Sequence, residues 1–162
     1  MTGRFRIERL RFLVRVVARE VEHLRGTDLR LFTCPFDEQR VDSLNKDVAL
    51  SEQVDAFVSR FGRLQDTVGD KLLPSYLSGL GERTGAVLDN LTKAERLGLI
   101  ESAETWLILR SLRNQMVHEY MEDRQILADA LNAGHRHVET LCGDAERLMG
   151  DIRTRGWLEG NK

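Results

Sequence analysis

The sequence predicts an all-α fold, an up-and-down four-helix bundle with one or two additional short helices. Four long stretches repeat apolar residues at alternating steps of three and four, the period of a helix with one buried face. The 162 residues include only 2 Pro and 6% aromatics, and are rich in Leu, Glu, Arg and Ala, which favour helix. The connections between the stretches are short, which sets successive helices antiparallel. No internal repeat, low-complexity run or linker divides the chain, so residues 1–162 read as a single domain.

Residues 5–25 carry Ile7, Leu10, Val14, Val17, Val21 and Leu24, a seam that predicts a long first helix ended by Gly26 and Thr27. Between residues 27 and 50 the periodicity fades into a variable connection punctuated by Pro35. Asp37 is suited to cap a short helix toward Asn45. The run from Leu29 to Phe36 is apolar enough for either a contact surface or the core.

Ser51 is the expected N-cap of a second long helix, with Val54, Phe57, Val58, Phe61, Leu64, Val68 and Leu72 on one face. It should reach about Leu73, where Pro74 breaks or kinks it. A turn at Gly79-Leu80-Gly81 leads to a shorter helix over 83–96, with Val87, Leu88 and Leu91 inward and Gly98 closing it. Ser102 opens a fourth segment whose buried face is Trp106, Leu109, Leu112 and Met116. After Asp123, the residues Leu127, Leu131, Gly134, Val138, Leu141, Ala145, Leu148 and Ile152 form a nearly continuous heptad stripe.

Composition narrows the classes of function. With 41% hydrophobic and 31% charged residues the chain is expected to be ordered rather than disordered. No apolar run reaches the ~20 residues that span a bilayer, and the first residues lack the apolar core of a signal peptide. A cytoplasmic protein with no membrane partner is expected. The net charge of −2 gives no global signature of nucleic-acid binding. Locally, Arg4, Arg11, Arg15 and Arg19 fall near one face of the first helix. They read either as a solvated face answered by Glu8, Glu20 and Glu22, or as a guanidinium stripe guiding RNA. Cys34 and Cys142 are lone thiols, expected to be buried and inert. His135 and His137, two apart on a helix, point roughly 200° apart and cannot share one ion, so neither metal nor cofactor is expected.

The segment Arg113-Asn114-Gln115-Met116-Val117-His118-Glu119-Tyr120 concentrates the chemistry. It joins a rigid guanidinium fork suited to phosphate, an imidazole that titrates near neutrality and a phenol. Arg113 and His118 differ by roughly 140° on a continuous helix, so they line one cleft only if the helix turns after Val117 or a second subunit completes the site. Asn114 can orient a phosphate or a water through its amide. A structural reading stands beside this one. Arg and His near a helix C-terminus oppose the negative end of its dipole, and Tyr120 can pack its ring while its hydroxyl stays wet.

Arg113-Asn114-x-x-x-His118-x-Tyr120 resembles the Arg-x4-6-His motif of HEPN domains. In particular it is similar to the Arg-x4-His-x-Tyr form of the HepT toxins that pair with minimal nucleotidyltransferase (MNT) antitoxins. The layout from Asp89 through Trp106, and Phe57-x3-Phe61-Gly-Arg-Leu-Gln-Asp66, is also similar. The likeness covers residues 51–150 well and the first 50 loosely, with 27–50 as an altered element that covers the cleft or joins a dimer surface. The resemblance implies a HEPN-like bundle and a metal-independent endoribonuclease toxin, homodimeric, with two motifs facing across a composite RNA cleft. Arg113 would hold the scissile phosphate, His118 would move protons to and from the 2′-hydroxyl and 5′-oxygen, and Asn114 would orient one of them. Tyr120 would be the residue that the nucleotidyltransferase modifies with AMP. The alternatives are a catalytically silent HEPN bundle that binds a nucleotidyltransferase, and a structural helical dimer whose Arg113 and His118 pair with surface acids.

Overall fold

In the computed structural model, which describes residues 2–117 and 123–159, every regular element is helical. The long helices are α1 (Thr2–Leu31), α3 (Val48–Asp66), α6 (Ala103–Val117) and α7 (Arg124–Thr154), and the short ones α2 (Glu38–Ser43), α4 (Leu73–Gly79) and α5 (Val87–Arg96). A π-helical turn, Thr67–Leu72, joins α3 to α4.

The long helices form a ring in the order α1, α3, α6, α7, each antiparallel to the next. Glu20 of α1 meets Thr67 just after α3, at 3.0 Å, while the start of α1 reaches the far end of α7, where Arg11 donates to the Trp157 carbonyl at 2.9 Å. Asp66 and Asp70 meet Arg113 and Arg110 respectively. Trp106 reaches Asp144, and Met116 lies against Gly134. The core between them is built from the predicted stripes: Leu10, Val14, Val17, Val21 and Leu24 of α1, Trp106, Leu109, Leu112 and Met116 of α6, and all of the α7 heptad stripe except the half-buried Leu127. Among the described residues no helix is long and apolar enough to cross a membrane.

Several boundaries differ from expectation, each for a local reason. Helix α1 does not stop at Gly26 and Thr27 but runs on to Leu31. A mid-helix glycine costs about 1 kcal/mol, less than the ~1.5–3 kcal/mol from burying one leucine, and both Thr27 and Leu31 are buried. Arg40 then donates to the Leu31 carbonyl at 2.6 Å, satisfying an orphan acceptor of the last turn. The Leu29–Phe36 run is split: Leu31 and Phe36 are core, whereas Leu29 is 79% exposed. Cys34 is exposed, contrary to expectation, while Cys142 is buried and its thiol is pushed up to about 12 by that burial.

Asp37 caps α2 as predicted, accepting from the Arg40 N–H at 2.7 Å. Asp47 rather than Ser51 caps α3, accepting from the Leu50 N–H, so that helix starts earlier. Pro74 does not end the helical path. The backbone widens to the π register just before it, with the Leu73 N–H donating to the Val68 carbonyl, and Pro74 then sits in the first turn of α4, where its missing N–H is tolerated. Gly81, at φ +82, closes α4 in a Schellman motif, with Glu82 N–H on the Leu77 carbonyl and Gly81 N–H on that of Ser78. Helix α5 begins at Val87 rather than near residue 83, and buries Asn90, Leu91 and Ala94 while Leu88 is exposed. Gly98, at φ +73, ends α5 in the same way as Gly81 ends α4.

Candidate functional site

Helices α3 and α6 approach closely because two glycines of α3 and its π turn face large side chains of α6. A Cβ on Gly62 would lie 3.1 Å from Arg113 Nε and 3.2 Å from its Cγ, and one on Gly69 would touch the Trp106 ring. The absence of a side chain at residue 62 lets the Arg113 stem lie flat across α3. Its guanidinium thereby reaches Asp66, one turn on, in a two-point fork: Nη1 is 2.9 Å from Oδ1 and Nη2 is 2.8 Å from Oδ2. Arg110 and Asp70 repeat the pairing a turn further along, at 3.2 Å. The fork geometry fixes direction as well as distance, the property that suits arginine to carboxylate and phosphate.

Arg113 lies on the wall of a groove with a volume of about 1010 Å³. Helix α2 and the turn after it form one side, through Val41, Asp42, Leu44 and Asn45. Helix α3 and its π turn form the floor, and Met116, Arg124 and Leu127 close the end. The altered 27–50 element thus builds part of the groove. It is pinned to α7 by Asn132, whose amide accepts from the Phe36 N–H and donates to the Phe36 carbonyl, both at 2.8 Å. The groove carries Arg63, Lys71, Arg113 and Arg124 against Asp42, Asp55 and Asp66. Arg124 pairs with Asp42 and Arg113 with Asp66.

Beneath the floor, Glu20 is pushed above the ordinary carboxylate range by burial, an effect opposed by the Thr67 hydroxyl and by the charges of Arg63 and Lys71. Asp144 is also pushed upward by burial, although it accepts the Trp106 indole N–H at 2.8 Å and the Glu101 N–H at 3.2 Å. That pair fixes the start of α6, and with it the helix carrying Arg113.

Of the residues expected to form the site, Arg113 is in the groove and half-buried. Asn114 is exposed and is not among the lining residues. His118 and Tyr120 lie outside the described residues. Met116 and Arg124, which flank that segment, both line the groove. Arg4, Arg15 and Arg19 are exposed on α1. Arg11 is instead held at the far end of the bundle by Glu8 and the Trp157 and Glu159 carbonyls. His135 stacks on Phe32 with ring centres 4.3 Å apart, and its Nδ1 is 2.6 Å from Asp28.

Asp66, Gly62, Arg63, Thr67 and Lys71 were not singled out by sequence as site residues. One signal was available: a glycine inside a strongly periodic helix marks a close approach of something large. Comparison with protein-family models, curated proteins and solved structures gives no match for this chain.

Proposed function

We propose that this protein is a metal-independent endoribonuclease of the HEPN type, acting as a toxin neutralised by a nucleotidyltransferase. The observation that carries the reading is the placement of Arg113. A guanidinium held in a two-point fork at the wall of a polar groove stands five residues before the histidine of the Arg-x4-His-x-Tyr motif. In this reading Arg113 takes the scissile phosphate and stabilises charge building on its oxygens. His118 transfers protons at the 2′-hydroxyl and the leaving 5′-oxygen. Cleavage then yields a 2′,3′-cyclic phosphate and a 5′-hydroxyl, with no metal ion needed. Asn114, exposed beside Arg113, orients the phosphate or the imidazole of a second copy in a homodimer. Tyr120 is the site at which the partner attaches AMP, and the added anion occupies the groove meant for RNA.

The Arg113–Asp66 pair also favours a second reading. An arginine already satisfied by a carboxylate suits a catalytically silent bundle that only binds the nucleotidyltransferase. Expression in a bacterial host separates the two. The nuclease reading predicts growth arrest, relieved by Arg113→Ala or by co-expressing the nucleotidyltransferase encoded beside it. Unimpaired growth at high levels of unmodified protein would favour the silent reading.

A further inference from the structure

We infer that Ser59, Arg63 and Lys71 form a track along which the phosphate backbone of a single-stranded RNA reaches Arg113. This inference rests on the nuclease reading and assigns the substrate path for that site. With Thr67 between Arg63 and Lys71, the row steps by four residues along α3 and its π turn, and each of these residues lines the groove that contains Arg113; Thr67 itself is buried, its hydroxyl turned toward Glu20 and the Arg63 carbonyl. A four-residue step nearly closes one turn in either helix type, so Ser59, Arg63 and Lys71 share one face, each four-residue step advancing roughly 6 Å.

The row differs from the other groove cations in what satisfies it. Arg113 and Arg124 are each paired with an aspartate. Among the described residues neither Arg63 nor Lys71 forms an ion pair with an acid, and both are exposed. Arg63 donates to Ser59 Oγ at 3.2 Å, which holds its guanidinium along the row. Glu20, whose carboxyl feels both charges, is turned inward, with Oε1 on the Thr67 hydroxyl and Oε2 buried. A flexible polyanion suits two cations set a row apart beside a further guanidinium, because each phosphate neutralised releases counterions. A single-stranded chain can follow the groove, whereas the rigid duplex would have to fit between α2 and α3.

The test is the salt dependence of binding, read by fluorescence anisotropy with a dye-labelled 2′-O-methyl oligouridine. Its blocked nucleophile prevents cleavage by 2′-hydroxyl attack. With a slope of about −0.7 per phosphate contact for single strands, Arg63→Gln/Lys71→Gln should flatten the log–log plot by about 1.4, which is roughly a 25-fold weaker affinity at about 0.1 M salt. Arg63→Lys/Lys71→Arg, which keeps both charges, should retain most of the slope. An unchanged slope in the glutamine variant would overturn the track. So would loss of slope on Arg15→Gln/Arg19→Gln in its place. Cleavage of unmodified RNA by the wild type, run in parallel, separates the two readings. Cleavage with an unchanged slope sinks the track alone, whereas the expected slope change without cleavage sinks the nuclease alone. Neither binding nor cleavage sinks both.

Discussion

Replacing Gly62 by alanine should separate the position of Arg113 from the stability of the bundle. The added Cβ would lie 3.1 Å from Arg113 Nε and 3.2 Å from Cγ, tighter than ordinary van der Waals contact, so the stem must move by a few tenths of an ångström. Two opposing terms set the stability. Alanine in a helix interior gains about 1 kcal/mol over glycine. Strain on the Arg113–Asp66 fork forfeits part of a pair whose side chains are 38% and 34% exposed, worth about 0.5–1 kcal/mol at such solvent access. The net change should fall within roughly 0.5 kcal/mol of zero, a melting shift of ~2 °C or less for a chain of this size. Activity is more sensitive, because a 1 Å misplacement of a positioning group costs on the order of 100-fold. A shift of a few tenths should therefore lower the cleavage rate by about 5- to 10-fold. Initial rates on an unstructured RNA, with thermal melts of the same preparations, make the comparison. A rate within about twofold of wild type, with the melt unmoved, would refute the claim that Gly62 sets the position of Arg113.

Asp144→Ala removes the acceptor for both the Trp106 indole and the Glu101 N–H. At about 1–3 kcal/mol per stranded donor, denaturant unfolding should show a loss of about 2–6 kcal/mol, and a loss below about 1 kcal/mol would contradict the assignment. Burial raises the folded-state pKa of Asp144 above its ordinary 3.8, so its stabilising contribution is fully present below that value and is lost as pH rises through the folded pKa. The stability deficit of Asp144→Asn relative to wild type should therefore narrow as pH rises above about 4. A deficit that widens with pH would mean that Asp144 is held down instead. Tyr120→Phe should leave RNA cleavage largely intact while abolishing modification by the nucleotidyltransferase, and an intact mass still showing added AMP would remove Tyr120 from its role.

What the sequence revealed depended on the range of the interactions involved. The α7 stripe from Leu127 to Ile152 and the α6 face from Trp106 to Met116 are repeated local patterns, and they pack as read. Asp37 and Asp123 cap their helices through neighbouring backbone N–H groups, which is also local information. The misplaced ends are positions where burial or register outweighed a local signal. Gly26 was overridden by Leu31, Ser51 by the earlier cap Asp47, and the break at Pro74 by the π turn before it. The site was legible only in part. Arg113 stood out by residue type, but its partner Asp66 is 47 positions away, and no periodicity connects them. Nothing in the sequence marks the row of Arg63 and Lys71, because the groove above it depends on where α2 docks, and that docking is set by Asn132 on α7.

The most direct test of the central claim is RNA cleavage by purified protein in EDTA, comparing wild type with Arg113→Ala and His118→Ala. The account predicts cleavage by the wild type, with 2′,3′-cyclic phosphate ends, and loss of cleavage in both variants. Intact wild-type protein, shown by mass to be unmodified, that leaves RNA uncut would contradict it.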